Sequence, residues 1–202
     1  MEKFYADAKQ DQFVANILDF KRDGYCVDIG SNHSVISNNT YVFQDLGWTS
    51  ISVESDSVYN QTYSTRTSGV HLNENALEVN YKKVFEEYEF PECIDYLSLD
   101  VDTASLSVLN ILPLDKYRFR VITIEHDAYL YGDMYRKTQR ELLESYGYFL
   151  LCSNVYAEQP GYEGKECPFE DWWIDPLQFS EELIKKIKCD STLPSIIISK
   201  FS

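Results

Sequence analysis

Residues 25–54 read YCVDIGSNHSVISNNTYVFQDLGWTSISVE, and this stretch decides the fold. A short apolar run, Tyr25-Cys26-Val27, stops at Asp28 and is followed at once by Gly30. The polar turn Ser31-Asn32-His33-Ser34 leads into a segment with apolar residues at Val35, Val42 and Leu46, close to whole helical turns, and Gly47 is a natural helix stop. A second apolar run, Ile51-Ser52-Val53, ends in Glu54. Strand, glycine turn, helix, strand and acid form the first half of a nucleotide-binding βαβ unit. In such a unit the glycine admits a ligand close to the backbone and the acid takes both hydroxyls of a ribose. A G-x-G-x-x-G fingerprint brings three glycines to a pyrophosphate, whereas this turn has Gly30 alone, which disfavours an NAD-type dinucleotide. Ser31 and Asn32 offer side-chain hydrogen bonds suited to an amino-acid part. S-adenosylmethionine is such a ligand, with a ribose and no phosphate.

On the N-terminal side, Phe13, Ile17 and Phe20 place an amphipathic helix within residues 5–22. On the C-terminal side, strands are expected at residues 70–72, 94–99, 120–124, 149–152 and 196–198, and helices at 81–88, 104–112, 133–146 and 180–188. Alternating strands and helices imply an α/β fold: a doubly wound, mostly parallel, seven-stranded sheet with helices on both faces. Residues 155–178 read as an insertion or lid containing Phe169-Glu170-Asp171-Trp172-Trp173, whose tryptophans either wall an acceptor pocket or bury the loop. Residues 1–202 make one domain, without internal repeats or a low-complexity linker.

A net charge of −15 argues against nucleic acid and against docking on an anionic membrane. No apolar run reaches the roughly 20 residues that span a bilayer, and no signal peptide is visible. Five cysteines without a C-x-x-C pair fit free thiols in a reducing compartment, so a cytoplasmic protein is expected. Oligomeric state is not legible.

In a doubly wound sheet the ligand lies beyond the carboxyl ends of the strands. Asp28, Glu54, Asp100 and the trio Glu125-His126-Asp127 all close an expected strand and gather on that rim. Each alone is commonly a helix cap; together they suggest a site.

DIGSN after the first strand, SVES after the second, the NENA loop, YLSLDVD, ITIEHDAY and FEDWWIDP together resemble FkbM-like S-adenosylmethionine-dependent methyltransferases over roughly residues 24–176. The resemblance implies a Rossmann-like methyltransferase fold that methylates an oxygen of a small-molecule or glycan acceptor. It implies that Asp28, Gly30, Ser31 and Asn32 hold the methionine part, Glu54 the ribose with Ser55 beside it, and that Asn75 and Ala76 face the adenine. His126 is the expected base, with Asp100 and Asp171 in catalytic roles. Asp100, Asp102 and Asp127 are alternatively ligands of a hard divalent ion such as Mg²⁺, although no required metal is expected. The family carries glycine at Ser34, proline at Ser55 and D-x-E-G where this chain has Asp100-Val101-Asp102-Thr103. Those departures leave a catalytically silent cofactor-binding or interaction module as the alternative to an enzyme.

Overall fold

The computed structural model describes residues 3–157 and 166–201. Its strands are β1 (Tyr25–Ile29), β2 (Thr49–Val53), β3 (Val70–Leu72), β4 (Cys93–Leu99), β5 (Arg118–Glu125), β6 (Phe149–Tyr156), β7 (Pro168–Ile174) and the two-residue β8 (Cys189–Asp190). They form one sheet in the order β3-β2-β1-β4-β5-β7-β6-β8. β1 to β5 run parallel, and β7 is antiparallel to both of its neighbours, β5 and β6. The fold is thus a mostly parallel, Rossmann-like sheet with helices on both faces, as expected, with β8 added at one edge.

The central strands β1 and β4 are mostly apolar on both faces because both are covered, with Asp28, Asp95 and Ser98 as buried polar exceptions. One core contains Phe13, Val14 and Ile17 from α1 (Gln10–Ile17), with Phe43, Trp48 and Trp172 and with Ile197 from α7 (Pro194–Ser199). The other contains Val27, Ile51 and Leu97 from the sheet, packed by α2 (Tyr81–Glu87), α3 (Ser105–Ile111) and α5 (Asp133–Ser145). Trp172 belongs to the first core and Trp173 to the second, the alternation that a strand imposes on successive side chains.

Four expectations are corrected. The helix expected after Gly30 is reduced to a 3-10 turn over Tyr41–Leu46, because Asn38 and Thr40 engage the preceding loop with their side chains instead of leaving its backbone to helix bonding. The N-terminal helix occupies only Gln10–Ile17 of the expected 5–22. The run at 196–198 lies in α7, started by Pro194 in its first turn, and is not the seventh strand. That strand is β7, inside the segment read as an insertion or lid over 155–178. Residues 158–165 of that segment lie outside the described residues, but 168–174 are core. Among the described residues no helix is long and apolar enough to cross a membrane.

If β7 is core, Trp172→Ala should cost about 3–5 kcal/mol in urea unfolding, since the ring is fully buried and stacked on Phe13 at 4.3 Å between centroids. A loss under about 0.5 kcal/mol, as at an unpacked surface position, would return the segment to a lid.

Candidate functional site

β1 delivers Gly30 to the rim with a left-handed φ of +79°, and a Cβ added there would lie 1.7 Å from the carbonyl oxygen of Asp100. Only glycine lets the backbone beyond β1 cross the end of β4 this closely. Three further residues just past strand ends, Asn32, Asp102 and Asp127, also adopt positive φ, of 51°, 46° and 46°. Asn and Asp tolerate this conformation better than other side-chain-bearing residues, and such strain gathers at functional sites.

Three cavities run along the carboxyl ends of the strands. One, of about 420 Å³, is lined by Glu54, Ser55, Asn75, Ala76, Asp100 and Asp102 among others. The next, of about 400 Å³, is lined by Asp28, Gly30, Ser31, Asn32, Tyr59 and Asp100 with several neighbours. A third, of about 110 Å³, lies between Asp7, Gln10, Asn39, Asp100, Glu125, Tyr129 and Phe169. The first two share Gly30, Asn32 and Tyr59, and Asp100 lines all three, so they form one cleft. Among the described residues, no Lys or Arg lines these cavities.

Within the cleft the expected residues divide. Glu54 accepts the backbone N–H of Asn32 at 3.0 Å through one oxygen and that of Asp56 at 2.7 Å through the other. Each oxygen keeps a lone pair for a ligand. Ser55 is exposed beside it, and Asn75 and Ala76 stand at the same end. Asp28 and Ser31 edge the cavity but are only 2% and 4% exposed. Asp28 accepts from Thr40 Oγ1 at 2.9 Å and Asn38 Nδ2 at 3.3 Å, and burial raises its pKa to about 6. These two residues brace the turn from behind.

The catalytic expectations change more. The His126 ring is fully buried. Its Nδ1 accepts the Ala128 N–H at 3.1 Å, and its Nε2 lies 3.5 Å from Asp171. It lines none of the three cavities, so His126 as a base on the rim is corrected. Asp171 goes with it: both oxygens bind Arg140 at 2.7 and 2.8 Å, and Oδ1 also accepts the Asn154 N–H. Burial would raise the pKa of Asp171, but Arg140 and His126 hold it below the ordinary value. Trp172 and Trp173 are likewise in the core and line none of the three cavities.

Asp100 is where it was expected. It is accessible to solvent yet crowded by protein, and it hydrogen-bonds Glu125. Burial, then the hydrogen bond and charge of Asp100, raise the pKa of Glu125 far above the carboxylate range, so Glu125 holds the shared proton. Oxygens of Asp102, Glu125 and Asp127 lie within 4.8 Å of one another, a donor set for a hard cation. Tyr59, Asn39 and Asp7 were missed as cleft residues. Tyr59 sits in the 3-10 helix Ser57–Thr65 just after Glu54, a position the order of elements points to; nothing in the sequence brings Asp7 here.

No family model and no curated protein sequence matches the chain. Solved structures do share its fold. A putative rRNA-methylase from Clostridium thermocellum aligns with TM-score 0.52 at 9% identity, over 85% of this chain and 97% of the other. The fibrillarin pre-rRNA processing protein of Methanococcus jannaschii aligns with TM-score 0.51 at 14% identity, over 82% and 75%. Spermidine synthase from Thermotoga maritima aligns with TM-score 0.51 at 14% identity, over 96% and 71%. At such identities the likeness is one of fold alone, a mostly parallel, Rossmann-like sheet flanked by helices. The FkbM-like assignment is therefore corrected. The motifs that suggested it mark strand ends of the wider fold, and no family model supports the narrower one.

The site also sets a pH dependence of stability. Behind the third cavity, Glu170 accepts from Trp172 Nε1 at 2.6 Å and Gln10 Nε2 at 3.2 Å, and burial outweighs these bonds to raise its pKa from 4.5 to about 8. The folded state thus keeps a proton that the unfolded chain releases. This contribution is complete below pH 4.5 and is lost as pH rises through about 8. Thermal unfolding should show the melting temperature of the wild type falling more than that of Glu170→Gln between about pH 5 and 8.5. Identical slopes would mean that Glu170 is charged in the fold.

Proposed function

We propose that the protein transfers a methyl group from S-adenosylmethionine to a small-molecule or glycan acceptor. The observation that carries this is the position of Asp100, common to a ribose-and-adenine end, an amino-acid end and a separate small cavity. The absence of Lys and Arg from the described lining residues favours a nucleoside ligand without phosphates over a dinucleotide. When bound, S-adenosylmethionine supplies an electrophilic methyl on a sulfonium. Glu54 would accept hydrogen bonds from the ribose hydroxyls, Asn75 and Ala76 would flank the adenine, and the Gly30-Ser31-Asn32 turn, backed by Asp28, would receive the methionine part.

A cavity of about 110 Å³ admits one terminal group of the acceptor, and its carboxylates Asp7 and Asp100 repel an anion. The acceptor therefore presents a hydroxyl or amine on a neutral or cationic molecule, in line with the strongly acidic chain and against nucleic acid. Asp100 is the group placed to take the acceptor's proton, and a raised pKa makes it a better base than an ordinary carboxylate. Glu125, protonated, steadies it by hydrogen bonding.

A second reading uses the three clustered carboxylates. Asp102, Glu125 and Asp127 would hold Mg²⁺ once Glu125 gave up its proton, and the ion would then orient the acceptor.

Calorimetry with S-adenosylhomocysteine tests the cofactor. Glu54→Ala should weaken binding at least about tenfold by removing charge-assisted hydrogen bonds, and NAD should not bind. Unchanged affinity in the variant removes Glu54 from the site. Turnover of hydroxyl and amine acceptors tests the chemistry. Asp100→Asn should lower it by roughly 10²-fold, with S-adenosylhomocysteine affinity within about threefold. Loss of activity in EDTA, restored by Mg²⁺, would favour the metal reading, and binding without turnover on any acceptor would leave a silent module.

A further inference from the structure

The turn after β1 lacks the glycines that usually let such a turn lie flat under a ligand, and the structure supplies a different support. The segment Ser57–Thr65 and the arginine after it pack beneath residues 31–40. The Tyr63 hydroxyl lies 2.6 Å from Ser31 Oγ and directs its proton among the oxygens of Ser31 and Asn32, with their carbonyls at 3.2 and 3.1 Å. Its ring is fixed by a parallel stack on His71, with centroids 3.8 Å apart and planes 5° from parallel. Arg66 lies over the rings of Tyr41 and Tyr63 and donates to Asn38 Oδ1 at 2.7 Å. That leaves Asn38 Nδ2 oriented to donate to the carbonyls of Ser31 and His33 at 2.9 and 3.1 Å.

The Tyr63 and Asn38 bonds tie the carbonyls of Ser31, Asn32 and His33 and the hydroxyl of Ser31 to buried side chains. Asn32 is thereby held in its left-handed conformation, with its N–H on Glu54 and its side chain exposed beside the cleft. Tyr63 itself is buried, lines neither of the two large cavities, and reaches the ligand space only through the turn.

We infer that Tyr63, steadied by Arg66 and Asn38, is a positioning residue that shapes the Ser31-Asn32 turn for the amino-acid end of the cofactor, replacing the missing glycines. This rests on the cofactor reading above. It predicts a selective defect, because the adenosine end of the cleft is built by Glu54, Ser55, Asn75 and Ala76, whereas the Tyr63 hydroxyl donates to Ser31 and Asn32.

The test compares two probes, S-adenosylhomocysteine and adenosine, by calorimetry or ligand-observed NMR. Tyr63→Phe keeps the ring and its stack but removes the hydroxyl, and Arg66→Met removes the hold on Asn38. Each should raise the dissociation constant for S-adenosylhomocysteine about tenfold while leaving that for adenosine within about twofold. Should Tyr63→Phe fold poorly by circular dichroism, Arg66→Met carries the same comparison. Equal weakening for both probes would mean general destabilisation, and no weakening would mean that the turn needs no brace; either overturns the inference. Wild-type protein that binds neither probe would overturn the cofactor reading, and this inference with it.

Discussion

At the end of β1 the chain must pass over the carbonyl of Asp100 with no room for a side chain, and the functional geometry depends on that approach. The close crossing of Gly30 sets the turn against the end of β4, so that Glu54, just past β2, and Asp100, just past β4, line the same cavity, and Asp100 also lines the two beside it. With any other residue at position 30 the turn would have to lift, opening the space that joins the cavities.

The opposite half of the sheet rests on burying acids. β7 runs between β5 and β6 with Glu170 and Asp171 fully enclosed, which is costly unless each is partnered. The two solutions differ. Asp171 stays ionised because Arg140 grips both of its oxygens and Asn154 adds a backbone N–H. Among the described residues Glu170 has no cation, only the indole of Trp172 and the amide of Gln10, and so is driven toward its neutral form. His126 belongs to the first solution: its ring packs beside Asp171 as part of the scaffold behind the rim.

Acidity is also what the cleft offers to a ligand. Among the described residues its walls carry Asp7, Glu54, Asp56, Asp100 and Asp102 with no opposing Lys or Arg, so the local field has the same sign as that of the whole chain. A field of this sign attracts a cationic ligand and resists phosphates. The solved structures that share the fold include proteins named for rRNA processing and methylation, but a common fold does not transmit an acceptor, and the charge of this cleft opposes a polyanion.

By itself the sequence determined the α/β class, the glycine turn after β1, the acid at the end of β2 and the rim on which Asp28, Glu54 and Asp100 gather. Each of these is a local pattern: an apolar run buried on both faces, a glycine where φ is positive, an acid at a strand end. Tertiary structure alone decided β7, because Phe169-Glu170-Asp171-Trp172-Trp173 interrupts its apolar residues with two acids whose partners lie 31 and 160 residues away in Arg140 and Gln10. It alone decided the fate of His126, since a residue next to a strand end points to the rim or into the core according to what packs against it. The family resemblance failed for a related reason: short strand-end motifs report the chemistry common to a fold and do not separate its branches. Tyr63 as the support of Ser31 and Asp7 as a cleft wall likewise arise only when segments distant in sequence fold onto one edge of the sheet, which no periodicity in the chain records.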